Sequence, residues 1–150
     1  MKKGIKKHPM KEQFSDYQTS KMLKKLGSNQ EQTSAYYLKG KFHFNSINNR
    51  TFGESKSDIV SAYLWQQVKQ WLWENHKIFF TTHSDGLEAK QFGTEIFVNE
   101  KVTKASNMSI KLFHLVWFDS PNVSEIEAIK KAVEYLYSQT AVAATPKGID

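Results

Sequence analysis

Apolar residues recur along this chain with two periods, and the changes of period mark its elements. Met22, Leu23 and Leu26 form a short helical stripe that Ser15 or Asp16 can cap and Gly27 can stop. From Tyr36 to Phe44 the period is two, with Tyr36, Leu38, Gly40, Phe42 and Phe44 on one face. Tyr37, Lys39, Lys41 and His43 take the other face, which predicts one strand with a single buried side. Leu64, Val68, Trp71 and Leu72 return to helical spacing, with Ser61 as the cap and an end near Asn75-His76. Ile78 to His83 is β-branched and aromatic and predicts a strand, closed by a turn at Ser84-Asp85-Gly86. A strand is expected over Glu95 to Val98, with Asn99-Glu100-Lys101 turning into Val102-Thr103. Ile110 to Phe118 is apolar on both faces and predicts a covered strand. A last helix opens at Ser120-Pro121 and buries Ile126, Ile129, Val133, Leu136 and Tyr137.

This order predicts an α+β fold, an antiparallel sheet of about four strands packed against two or three helices. The stretches 28–34 and 45–57 are polar and read as loops. Residues 1–13 are expected to be a flexible basic tail, 14–139 a single domain, and 140–150 a flexible C-terminal tail.

Composition narrows the chemistry. The chain has 150 residues and no cysteine, which removes disulfides, thiolate metal sites and cysteine nucleophiles. No apolar stretch follows the lysines at the start, so export by a signal peptide is not expected and a cytoplasmic location is. The net charge is +6, and all of it resides in residues 1–26, with eight lysines against Glu12 and Asp16. Residues 27–150 are neutral overall.

Several segments resemble a known group of proteins. They are the Lys-Lys-Leu-Gly ending of the first helix, Ala35-Tyr36-Tyr37, and Ser61 to Val68 with Trp71-Leu72 and Glu74 to Phe79. Asp119-Ser120-Pro121 and Glu127-Ala128-Ile129 complete the set. Over about residues 15–139 the chain resembles a family of small uncharacterised proteins from phages and mobile elements of gut bacteria. That family has a Lys-His-Gly turn where this chain has Asn75-His76-Lys77, and a Pro where Tyr63 stands. The resemblance implies an accessory protein of a mobile element and brings no catalytic residues.

No motif for catalysis emerges from the residues themselves. The histidines at 8, 43, 76, 83 and 114 are scattered singly, and neither HExxH nor a glycine-rich phosphate loop is present. His83 with Asp85 is the weakest candidate, a metal pair at a turn, against the plainer role of shaping that turn. The expectation is therefore no enzyme, no cofactor and no metal.

Two partner surfaces remain. At 100° per residue, Trp73 lies about 200° from Trp71 around the helix and Trp65 about 120° away. One helix cannot bury all three rings on one sheet, so Trp65 and Trp73 are candidate protein contacts unless a loop or the tail covers them. The other surface is lysine-rich: Lys2, Lys3, Lys6, Lys7, Lys11, Lys21, Lys24 and Lys25 could neutralise phosphates of a nucleic acid or simply solubilise the chain. The expected function is thus contact with a protein partner, the alternative is nucleic-acid binding, and no membrane partner is expected.

Overall fold

The computed structural model describes residues 9–29, 34–44, 59–84, 91–101 and 107–144. The elements are α1 (Pro9–Gln13), α2 (Tyr17–Lys25), β1 (Ala35–Leu38), β2 (Lys41–Phe44), β3 (Ile59–Ala62), α3 (Trp65–His76), β4 (Ile78–Ser84), β5 (Phe92–Lys101), β6 (Asn107–Phe118) and α4 (Pro121–Ala144). The fold is α+β, with antiparallel pairing throughout. Where one sheet of about four strands was expected, the described residues form two sheets of three, ordered β2-β1-β3 and β4-β5-β6. The described residues group into two compact units, one running to Gln67 and resuming at Gln139, the other Val68–Ser138.

The first unit contains the largest departures from expectation. The predicted strand 36–44 is a hairpin, in which Leu38 pairs with Lys41 across a two-residue turn. Lys39 (φ 52°) and Gly40 (φ 84°) are both left-handed, the geometry whose twist matches a tight antiparallel pair. The turn inverts the faces. Tyr37 lies opposite Phe42 and enters the core, whereas Tyr36 stacks on His43 on the other side. Residues 59–62 form a buried strand rather than the start of a helix, so Ser61 is a sheet residue and not a cap. The α3 helix starts four residues later, and Gln67 folds back so that its Oε1 accepts the Leu64 N–H at 2.9 Å.

Short elements here are tied down by side chains. Asp16 caps α2, its carboxylate accepting the Thr19 N–H at 2.7 Å, and Gly27 (φ 94°) stops it. Ser15 is fully buried and serves as a joint: its Oγ meets Ser20 Oγ at 2.7 Å and accepts the Tyr63 N–H at 3.1 Å. The Tyr37 hydroxyl donates to the Ser15 carbonyl at 2.9 Å. Phe14, Ala35, Tyr37, Val60 and Ala62 make the core, with Tyr17 and Phe42 packed on it. Residues 9–13, expected in a flexible tail, form α1, and the Glu12 carbonyl accepts the Trp65 indole N–H at 3.1 Å. Residues 1–8 of that tail and the loop at 45–57 lie outside the described residues.

The second unit follows the pattern more closely. Strands β4, β5 and β6 form a meander of long strands, in which β5 begins at Phe92 rather than Glu95. Asn99, Glu100 and Lys101 belong to β5 and not to a turn, while 102–106 are outside the described residues. The inner face carries Ile78, Thr94 and Ile96, all fully buried. On this face Thr94 Oγ1 pairs with Thr82 Oγ1 and Ser124 Oγ, both at 2.7 Å, linking the sheet to α4. The α4 stripe of Ala128, Ile129, Ala132 and Val133 is fully buried, as are Val68 and Leu72 of α3. Lys69 of α3 and Glu125 of α4 pair at 2.8 Å. Ser120 caps α4 through the Val123 N–H at 3.0 Å, and the helix runs to Ala144, so residues 140–144 are helical rather than a loose tail.

Candidate functional site

Register places a mixed group of side chains on the outer face of the second sheet. Phe79 pairs with Phe97, Thr81 with Glu95, and His83 with Gly93 across β4 and β5. Glu95 in turn lies opposite His114, and Phe97 opposite Lys111. Lys111 and His114 are three residues apart, which would put them on opposite faces of a regular strand. The register shifts between Ile96 and Phe97, leaving Leu112 as an extra residue on β6, and this bulge returns Lys111 to the outer face.

The polar half of this face is a closed set of contacts. Lys111 Nζ donates to Glu95 Oε2 at 2.8 Å, and Glu95 Oε1 lies 3.9 Å from His83 Nε2. His83 Nε2 and His114 Nε2 are 3.2 Å apart, so one imidazole donates and the other accepts. The bond from Lys111 is the main force holding the Glu95 carboxyl below the usual carboxylate range, with the charge of Lys111 and of both histidines adding to it. The two rings reach each other from β4 and β6 across the middle strand. Gly93, with no side chain, is the residue opposite His83 on that strand.

The aromatic half adjoins it. Phe79 stacks on Phe97 with centroids 5.1 Å apart, and Trp73 meets Phe79 edge-on at 6.1 Å. Lys77 Nζ stands 5.1 Å over the Trp73 ring. Lys77 has φ 54° at the end of α3, the left-handed position that Gly usually fills, and its N–H donates to the Trp73 carbonyl at 3.0 Å. A second exposed tryptophan lies at the far end of the face. The pairs Phe92–Phe118 and Thr94–Leu115 leave Val116 and Trp117 together opposite Gly93, and Trp117 takes φ 76° with 58% of its surface exposed. A bulky residue held left-handed is a genuine outlier, and such strain gathers at functional positions.

The residues singled out from sequence separate sharply. Trp73 is 43% exposed and stays a surface group, whereas Trp65 is 7% exposed, with its indole N–H bonded inside the first unit. Trp65 is therefore a core group of the first unit rather than an exposed contact, although Gln66 and Gln67 beside it are exposed. Among the lysines, Lys24 donates to the Ile59 carbonyl at 2.7 Å and Lys21 lies 5.0 Å over the Tyr17 ring, so both serve the fold. Lys11 and Lys25 are exposed, and Lys2, Lys3, Lys6 and Lys7 lie outside the described residues. Asp85 also lies outside them, and His83 is brought instead to His114 and Glu95. Among the described residues no group of three or more His, Cys, Asp or Glu is gathered as a ready metal cage. No helix among them is long and apolar enough to cross a membrane.

Comparison with protein-family models, with curated proteins and with solved structures finds no match to this chain.

Proposed function

We propose that the protein is a non-enzymatic cytoplasmic binding protein, an accessory of a phage or mobile element, whose second unit receives a polypeptide on the outer face of β4-β5-β6. The observation that carries this reading is Trp73: 43% exposed, yet held in place by Phe79 at its edge and Lys77 over its ring. An exposed tryptophan already fixed in one orientation loses little entropy on binding, which is the character of an interface anchor. The stacked pair Phe79 and Phe97 extends the apolar contact, and Lys77 favours a carboxylate beside it. The partner chemistry is therefore a peptide segment with a large apolar side chain next to an acidic one.

Charge argues against a nucleic acid on this face. Residues 68–138 hold eight lysines and nine carboxylates, a net charge of −1, and Lys111 is committed to Glu95. Phosphate binding needs cations in excess. The alternative belongs to the rest of the chain, which carries a net charge of +7.

A displayed library of random peptides selected on the whole protein tests the reading. Acidic-aromatic sequences should be enriched, and their binding should weaken at least tenfold in Trp73→Ala with the circular dichroism spectrum unchanged. Enrichment indifferent to Trp73→Ala, or no enrichment, overturns it. Exchanging Lys2, Lys3, Lys6 and Lys7 for Gln leaves α1 intact and tests the alternative by anisotropy with single-stranded and duplex DNA. Salt-dependent binding lost on that exchange, alongside a failed peptide selection, would establish the nucleic-acid reading instead.

A further inference from the structure

We propose that His83 and His114 form a two-imidazole site for a divalent transition ion of the Zn²⁺ class. Their Nε2 atoms are 3.2 Å apart. Two nitrogens bound to one tetrahedral ion at about 2.0–2.1 Å stand roughly 3.3 Å from each other. The imidazoles thus already hold the separation of neighbouring ligands, and the ion would replace the proton that now lies between them. Both rings would then carry their proton on Nδ1 and offer the Nε2 lone pair.

The scaffold makes this separation more than a chance meeting of surface rings. Both histidines sit within strands, His83 in β4 and His114 in β6, so their backbones are fixed by ladders on β5. Gly93 opposite His83 places no side chain on the middle strand at that level. The bulge at Leu112 sets the register that brings Lys111 beside Glu95, leaving Glu95 Oε1 facing His83 at 3.9 Å. A carboxylate at that distance adds negative charge beside the ion. Nitrogen ligands select Zn²⁺, Cu²⁺ or Ni²⁺ over Mg²⁺ and Ca²⁺, which take oxygen. The remaining coordination positions face solvent, since both rings are exposed.

The test is a Zn²⁺ titration of the whole protein by calorimetry, with Mg²⁺ as the contrasting ion. The expected result is saturable Zn²⁺ uptake, no Mg²⁺ uptake, and at least about a hundredfold weaker Zn²⁺ binding in His83→Gln and in His114→Gln. Uptake that persists unchanged in the double variant, or no uptake by folded wild type, overturns the proposal. Ring-proton NMR of the wild type decides it without any variant. Zn²⁺ should shift the signals of His83 and His114 first, and shifts confined to His8, His43 or His76 would place the ion elsewhere.

Discussion

The two units solve the same problem, fixing a small antiparallel sheet, with different means. In the first, each described strand has four residues, too few for a ladder to hold itself. Side chains bond to backbone instead: Tyr37 and Ser20 to the Ser15 carbonyl, Lys24 to Ile59, Trp65 to Glu12. In the second, strands of seven, ten and twelve residues fix one another. On the inner face Thr94 bonds to Ser124 of α4, whereas on the outer face Glu95 pairs with Lys111 and His83 meets His114. The lesson is that a long ladder releases side chains for other work, whereas a short one consumes them.

Deleting core volume should show the strongest effect and should locate it. Ile96 is fully buried in the middle strand of the second sheet, so Ile96→Ala should cost about 2–5 kcal/mol of stability. Hydrogen exchange should accelerate first in β4, β5 and β6. Equal acceleration in β1, β2 and β3 would mean that the two ladders do not differ as described.

The joint at Ser15 comes next. Ser15→Ala removes the acceptor of the Tyr63 N–H and one of the two contacts of Ser20 Oγ, and should cost about 1–3 kcal/mol by chemical denaturation. A loss below about 0.5 kcal/mol would show that backbone pairing suffices even in the short-stranded unit. Tyr37, bonded to the same residue, sets the alkaline limit. Burial, helped by the charge of Asp16, pushes its hydroxyl up to about 12 from 10.0. Its contribution is complete below pH 10 and is lost as pH rises from there through about 12. Tyr37→Phe should flatten that alkaline slope.

How far these units were legible in sequence follows the same division. Helical stripes with strong stop signals were readable: Asp16 and Gly27 around α2, Ser120-Pro121 at α4, and the Val68–Leu72 stripe. The left-handed backbone at Lys77 was not legible, because a lysine there carries none of the signal that a glycine would. The hairpin was hidden because Lys39-Gly40 continues the alternation of its strands, so apolar period alone cannot show the chain reversing. Strand β3 was hidden because Ile59, Val60 and Ala62 run on toward Leu64 and Trp65 without a breaker, and Ser61 among them reads as a helix cap. The outer-face site was hidden for a deeper reason. His83, Glu95, Lys111 and His114 meet only through the pairing of three strands, and a bulge overrides the parity that would separate Lys111 from His114. No local pattern encodes a register shift.

A smaller effect, of opposite sign, is expected at Trp117. A left-handed backbone costs a bulky residue roughly 1–2 kcal/mol, and Gly adopts it freely. Because this ring is 58% exposed, little burial is lost. Trp117→Gly should therefore raise stability by roughly 0.5–1 kcal/mol once the greater chain entropy of Gly is set against it. Peptide binding should weaken in the same variant. Stability that rises without any change in binding would leave the strain unconnected to recognition.

The smallest effect belongs to Glu95, and its sign completes the contrast with Tyr37. Lys111 holds the Glu95 carboxyl below its ordinary value near 4.5, so folding gains from its ionised form. That gain is present above the ordinary value and is lost as pH falls from there through the depressed one. The group is at the surface and its pairing is screened by salt, so the acid-side slope should be shallow and should shrink further at 1 M salt. Glu95→Gln should flatten it while leaving the alkaline slope of Tyr37 untouched, since that group answers to burial in the other unit. A steep acid slope, indifferent to salt and to Glu95→Gln, would place the acid-sensitive group elsewhere. It would also remove the distinction between a first unit whose ionisable core group is sheltered and a second whose ionisable face is open to water.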